Sequence, residues 1–248
     1  MTTQDPFVIV GGGLAGAKAA ETLRGEGFDG PVVLVAGEDE VPYERPPLSK
    51  GYLLGKVDRE NPRVHPGDWY VEQDVELRTG VRATHLDPAA HRLTLEDGDE
   101  LAYAKLLLAT GSSPRRLPVP GADLDGVRYL RTLADSDRLL TDLSGGGRRV
   151  VIVGAGWIGL EVAAAARHYD NEVTVVEPQP TPLHAVLGPE MGAVFARLHR
   201  DHGVDLFTDT VVRELRGSGG RVESVATDAH AGLAADLVVV GIGATPNV

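Results

Sequence analysis

Short, fully apolar runs rich in β-branched residues alternate along this chain with alanine-rich stretches that read as helix. Phe7-Val8-Ile9-Val10 leads into Gly11-Gly12-Gly13-Leu14-Ala15-Gly16, then a helical stretch from Ala17 to Arg24, and the pattern returns to Val32-Val33-Leu34-Val35. The same order recurs from Val150-Val151-Ile152-Val153 through Gly154-Ala155-Gly156-Trp157-Ile158-Gly159 and Leu160 to His168, returning to Val173-Thr174-Val175-Val176. A short continuous apolar run bounded by glycine fits a strand buried on both faces, and strand, helix, strand makes a βαβ unit. The chain therefore carries an internal repeat of that unit.

Between and after the repeats lie further strand patterns. Leu77 to Val81, Arg92 to Leu95 and Leu101 to Leu108 predict a small antiparallel insertion inside the first unit. Leu106-Leu107-Leu108-Ala109-Thr110-Gly111 ends a buried-strand pattern in a small-residue turn, and Leu237-Val238-Val239-Val240-Gly241-Ile242-Gly243-Ala244-Thr245-Pro246-Asn247 echoes it. Small residues in that place let a flat ligand lie against the backbone, or simply make a tight turn. Gly145-Gly146-Gly147 reads as a flexible joint and puts the domain change within residues 115–148.

The glycine spacing of the repeats is that of a dinucleotide turn. The first glycine permits the tight turn out of the strand, the second lets a pyrophosphate approach the backbone, and the third lets helix and strand pack closely. The helix N-terminus offers free N–H groups and partial positive charge to phosphate. Glu177 closes the second returning strand, where a carboxylate accepts hydrogen bonds from the adenosine ribose hydroxyls and repels a 2′-phosphate, so NADH is expected over NADPH. In the first unit the acidic candidates cluster at Glu38, Asp39 and Glu40, of which Glu38 is taken.

Composition narrows the chemistry. Glycine is abundant, at 31 of 248 residues, and aromatics are scarce, which favours an α/β chain with many strand-to-helix turns. A net charge of −12 repels phosphate overall and argues against nonspecific nucleic-acid or anionic-membrane binding. The absence of cysteine excludes disulfides, thiol catalysis, Cys-ligated zinc and an iron–sulfur cluster within the chain. Met1 to Asp5 carries no basic leader and no apolar run is long enough to span a bilayer, so a cytoplasmic protein is expected. His199 and His202 stand at metal-pair spacing but near a helix C-terminus with no third ligand, so no metal site is assigned; Trp69 and Tyr70 read as packing. Arg115-Arg116 fits a phosphate contact, an acidic partner or a solvated turn equally well.

The stretch Pro42-Tyr43-Glu44-Arg45-Pro46-Pro47-Leu48-Ser49-Lys50 is too constrained for an ordinary loop, because adjacent prolines fix φ and hold the residues before them extended. Alone it could be a rigid connection with Lys50 in solvent. Together with the two dinucleotide turns, Ala109-Thr110-Gly111, Tyr129-Leu130-Arg131-Thr132, the glutamate Glu161 after the second turn and the terminal Gly241 to Asn247, it gives a chain that resembles the two-dinucleotide-domain flavoprotein reductases, specifically the ferredoxin and rubredoxin reductases of oxygenase systems.

That resemblance implies two Rossmann-like dinucleotide-binding domains of three-layer ββα type, with the NAD domain inserted in the FAD domain. The expected boundaries are 1–118 for the first part of the FAD-binding domain, 119–243 for the NAD(P)H-binding domain and 244–248 for the return. It implies FAD contacts at Gly11, Gly13, Ala15, Gly16, Glu38, Arg45, Lys50, Ala83, Thr110, Gly111 and Arg131, and NADH contacts at Gly154, Gly156, Trp157, Ile158, Gly159, Glu161, Glu177 and Gly243. In such proteins hydride passes from NADH to FAD and electrons then leave singly for a 2Fe-2S ferredoxin or a rubredoxin. Lys50 would stand beside the flavin as a catalytic cation, paired with Glu161 from the second domain. An NADH oxidase or peroxidase and a redox-responsive binding protein of apoptosis-inducing-factor type are the alternatives. Members of the family continue past the segment corresponding to Asn247 into a further FAD-binding strand and a C-terminal domain, so the C-terminal part is expected to be missing, with an exposed sheet edge and weak FAD binding as the result.

Overall fold

The computed structural model describes residues 5–248; Met1 to Gln4, which carry most of the stretch inspected for a leader, lie outside them. The chain divides into two compact units, one made of the described residues up to Arg45 with Glu60–Ser112 and Pro246–Val248, the other of Pro46–Arg59 and Ser113–Thr245.

In the first unit the strands Val75–Arg78, Val32–Val35, Phe7–Val10 and Lys105–Leu108 form a parallel sheet in that order. The alternation of side chains along each strand splits the core in two. Val8, Val10, Val33 and Val35 face a three-stranded antiparallel sheet and pack on its Leu93 and Leu95. Ile9, Val32 and Leu34 face the helix Leu14–Gly25 and pack with Ala20 and Tyr70. Antiparallel sheet, parallel sheet and helix are thus the three layers. The antiparallel layer is Ala83–Asp87, Arg92–Leu95 and Glu100–Ala102. Two of the expected insertion strands are therefore reassigned. Residues 75–78 pair with Val32–Val35 as an edge of the parallel sheet, and the run 101–108 breaks at Tyr103 and Ala104, whose N–H groups donate to His91 and Pro6. Lys105–Leu108 then returns to the parallel sheet as its other edge, leaving Leu107 and Leu108 exposed.

The second unit repeats the plan. Strands Val204–Phe207, Glu172–Val176, Arg149–Val153, Leu237–Val240 and Val127–Tyr129 form a five-stranded parallel sheet in that order. One face meets the antiparallel strands Val212–Ser218, Arg221–Thr227 and Leu233–Ala234 through Leu215, Val222 and Val225. The other face carries the helices Leu133–Leu143, Trp157–His168 and His184–Asp201, packed through Leu139, Leu143, Leu160 and Ala196.

Two features depart from the expected boundaries. Residues 46–59 belong to the second unit and not to a continuous first part running to 118, because Leu53 is fully buried in the second unit's core. Nor is Gly145–Gly147 a joint between domains. It closes the helix Leu133–Leu143 inside the second unit, where the Gly146 N–H donates to Leu143 and a Cβ on Gly146 would meet the Tyr169 carbonyl oxygen at 2.6 Å.

Both glycine turns are as tight as backbone allows. A Cβ on Gly16 would sit 2.0 Å from the Gly11 carbonyl oxygen, and one on Gly159 would sit 2.0 Å from that of Gly154. Around Gly13, by contrast, a Cβ would meet nothing within 4 Å. Gly16→Ala and Gly159→Ala are expected to destabilise their units by about 3 kcal/mol or more, since backbone must move to admit the methyl. Gly13→Ala should cost about 1 kcal/mol or less. Urea denaturation of the three variants checks the contrast, and equal losses would contradict it.

Candidate functional site

In the first unit the strand Phe7–Val10 ends at Gly11, which turns with φ +132 against the Ala109 carbonyl, so that the turns at residues 11–13 and 109–111 touch. Gly13 is the N-cap of the helix Leu14–Gly25, and neither a side-chain cap nor a first-turn carboxylate answers its N–H groups. Thr110 and Gly111 are held by Asn247: the Thr110 hydroxyl donates to the Asn247 carbonyl, the Asn247 amide donates to Thr110 O at 3.0 Å, and the Asn247 N–H donates to Gly111 O at 3.0 Å. Glu38 accepts from the Tyr43 hydroxyl at 2.6 Å and from Arg45 at 2.6 Å. The Arg45 guanidinium also lies over the Tyr43 ring, and Tyr43 bridges to Gly13. Glu38, Arg45 and the glycine turn are thereby one cluster. Ala15 is exposed on the helix, Gly16 is buried beneath it, and Ala83 opens the first antiparallel strand.

The second unit has the same turn with different wiring. Gly154, at φ +101, presses on the Gly241 carbonyl, joining the turns at 154–156 and 241–243. Gly156 caps the helix Trp157–His168, again with no side-chain cap and no acidic residue in the first turn. Trp157 and Ile158 are exposed on that turn, and Gly159 is buried. Glu177, only 9% exposed, accepts from the Ala155 N–H at 2.6 Å and from the Gln179 N–H at 2.9 Å, so both oxygens are oriented by backbone of the site itself. Gly243, at φ +104, accepts from the Arg115 N–H at 2.9 Å.

The helix Leu133–Leu143 supplies the contrast that shows what these two turns leave open. Its N-cap Thr132 and N3 residue Asp135 satisfy each other's backbone in a capping box. The Asp135 carboxylate also takes the N–H of Arg131, which lies in the second unit. That helix end is closed by side chains; after the two glycine turns the donors lie beside open space, where a Cβ on Gly13 would meet nothing within 4 Å and one on Gly156 nothing nearer than 3.9 Å. Those donors and that space fit a dinucleotide pyrophosphate in each unit.

Lys50 follows the short turn Pro46–Ser49 and lies in the second unit, as does Glu161 on the second turn of Trp157–His168. Lys50 Nζ stands 2.8 Å from Glu161 Oε1, and the Ser49 hydroxyl donates to Oε2. Three further bonds fasten the segment: Ser136 Oγ donates to Leu48 O at 2.7 Å, the Tyr52 hydroxyl to Asp137, and the Tyr169 hydroxyl to Leu53 O at 3.1 Å. Sequence reasoning had passed over Ser49, Tyr43 and Asn247. The first two sit inside the proline-rich stretch and the third inside the terminal turn, so position in the motif was the available signal.

Other marked residues stay outside this constellation. His202 Nδ1 donates to the Leu198 carbonyl, 2.8 Å away, and burial holds His199 below the usual histidine range. No metal-binding cluster occurs among the described residues. Trp69 stacks on His65 and meets the Tyr70 ring edge-on. Arg116 lies over the Tyr129 ring.

Comparison with known proteins follows the same outline. The pyridine nucleotide-disulphide oxidoreductase family matches residues 5–248. Rhodocoxin reductase of Rhodococcus erythropolis is 42% identical over 98% of this chain and 56% of its own length. The ferredoxin–NAD(+) reductase component of the anthranilate 1,2-dioxygenase system of Burkholderia cepacia is 44% identical over 98% of this chain and 60% of its own. The crystal structure of the covalent putidaredoxin reductase–putidaredoxin complex superposes with a TM-score of 0.95 at 38% identity, covering 99% of this chain and 60% of that one. The chain thus spans about three-fifths of the length of these relatives.

Glu177→Ala is expected to lower stability by about 1–3 kcal/mol without any ligand present, because the buried Ala155 N–H loses its acceptor. Thermal unfolding of the ligand-free protein measures it, and an unchanged midpoint would show that the carboxylate does not organise the turn.

Proposed function

Because the chain belongs to the pyridine nucleotide-disulphide oxidoreductase family, we propose that it serves as an NADH-dependent, FAD-containing reductase of a ferredoxin-like iron–sulfur protein or a rubredoxin. The observation that carries the reading is the pair of open, uncapped glycine turns in a chain without cysteine. Two dinucleotides have a place, and these 248 residues supply no thiol to take the electrons onward. The names of the relatives, a ferredoxin–NAD(+) reductase and a partner of putidaredoxin, support the same class of acceptor.

The residues divide the work. The N–H groups after Gly13 receive the FAD pyrophosphate, and Glu38, oriented by Tyr43 and Arg45, accepts from the ribose hydroxyls. The N–H groups after Gly156 receive the NADH pyrophosphate. Glu177 accepts from the adenosine ribose, and with no cationic partner among the described residues it repels a 2′-phosphate. FAD, when bound, supplies the conversion of a hydride from NADH into single electrons. Lys50 contributes a fixed positive charge that stabilises negative charge developing beside it, and Glu161 holds the ammonium in place. Gly111 and Gly243 carry no side chain and the Thr110 hydroxyl is engaged by Asn247, which leaves backbone for flat rings to lie against. No helix among the described residues is long and apolar enough to cross a membrane.

Stopped-flow mixing of the FAD-loaded protein with NADH or NADPH, followed by a 2Fe-2S ferredoxin, a rubredoxin or oxygen, tests the assignment. NADH is expected to reduce the flavin with at least about tenfold higher efficiency than NADPH, and Glu177→Arg to narrow or reverse the ratio. Equal efficiencies in the unmodified protein would remove Glu177 from this role, and oxygen as the fastest acceptor would favour an oxidase.

Lys50→Ala and Glu161→Ala should each slow flavin reduction by about tenfold or more, and the double variant by less than the product of the single factors. Multiplicative losses would mean that the two side chains act separately.

A further inference from the structure

Glu161 is fastened at both carboxylate oxygens by consecutive residues of one turn. Lys50 takes Oε1, and the hydroxyl of Ser49 donates to Oε2. The two partners differ sharply in exposure. The Lys50 side chain is 54% exposed, whereas Ser49 is 3% exposed. A half-exposed ammonium gains little from a carboxylate that can swing, because water competes for it and both side chains lose rotamer freedom on pairing. A carboxylate already pinned through one oxygen by a buried donor has given up that freedom beforehand. A hydrogen bond to an ionised acceptor is also about twice as strong as a neutral one, which suits the hydroxyl to the task.

The backbone under Ser49 is correspondingly rigid. Pro46 and Pro47 fix its first two φ angles, the Lys50 N–H donates to Pro47 O at 3.0 Å, and the Leu48 carbonyl is held by Ser136 at 2.7 Å. The hydroxyl therefore has a fixed origin from which to orient its acceptor.

We propose that Ser49 is a positioning residue: its buried hydroxyl locks the Glu161 carboxylate in one rotamer, and that carboxylate in turn presents the Lys50 ammonium in a single orientation. The inference rests on the charge-stabilising role proposed above for Lys50. Ser49 itself acts only through Glu161.

The four lysines of the chain, Lys18, Lys50, Lys56 and Lys105, make the test spectroscopic. Isotope-labelled lysine gives a resolvable set of side-chain signals, and Lys50→Arg assigns the one of interest. In the unmodified protein the two ε-methylene protons of Lys50 should have distinct shifts, as in an immobilised side chain. In Ser49→Ala they should merge, as in a solvated lysine. Ser49→Cys fills the same space with a weak donor and should behave likewise, which covers the case in which the alanine variant does not fold. In FAD-loaded protein both variants should reduce flavin with NADH about tenfold more slowly, the size expected from loss of one charge-assisted bond. Distinct ε-methylene shifts retained in the variants would overturn the role of Ser49, whatever happens to stability. Merged shifts in variants of a protein that NADH does not reduce would uphold Ser49 and overturn the reductase assignment instead.

Discussion

The fold turns on how closely a helix can be laid against the turn that precedes it. In both units the third glycine of the motif faces a carbonyl oxygen at a distance that no side chain could tolerate. This contact sets the helix axis, brings its first N–H groups to the end of the parallel sheet and forces the strand to end in a left-handed turn. The neighbouring turns at 109–111 and 241–243 then have one place to go, against the first glycine of each motif. The open donor sets follow from that approach.

What the frame does not determine is how each unit orients its acid. Glu177 is held by one backbone N–H of the glycine turn, at Ala155, and one of its own turn, at Gln179, and meets no cation among the described residues, so its negative charge has no ionic partner there. Glu38 is held by the side chains of Tyr43 and Arg45, so its charge is balanced before any ligand arrives. One architecture thus offers two electrostatic environments. The difference lies in the segment after the returning strand, where the first unit places Tyr43, itself buried, and Arg45 against its acid, and the second places only backbone.

Much of this was legible in the sequence because it is written in short range. The β-branched runs, the glycine spacing and the alanine-rich helices are local signals, and Phe7–Val10 with Leu14–Gly25 and Arg149–Val153 with Trp157–His168 lie where the pattern puts them. Strand pairing is not local. The runs Leu77 to Val81 and Leu101 to Leu108 were drawn into the antiparallel layer on propensity, which cannot say which sheet a strand joins; residues 75–78 and 105–108 pair in the parallel one. Gly145–Gly147 misled for a related reason: glycines that end a helix and glycines that link domains look alike until the Tyr169 carbonyl is seen beside them. In the candidate site, the motif pointed to Lys50 and Glu161 but not to Ser49, since a serine between leucine and lysine carries no mark of burial.

Residues 46–59 bear on how such a protein could be taken apart or assembled by gene rearrangement. The second unit is continuous over Ser113–Thr245 except for this one excursion, which seats Leu53 in its core and Leu48 beneath Ser136. A genetic fragment encoding only the continuous stretch would inherit a hole where Leu53 belongs and a glutamate deprived of Ser49 and Lys50. Recombination that exchanged the nucleotide domain for another would have to carry the distant turn with it. The proline-rich stretch is in this sense divided by inheritance: its first half answers to Glu38 in one unit, its second to Glu161 in the other, and each half can drift in sequence only as far as its own unit permits.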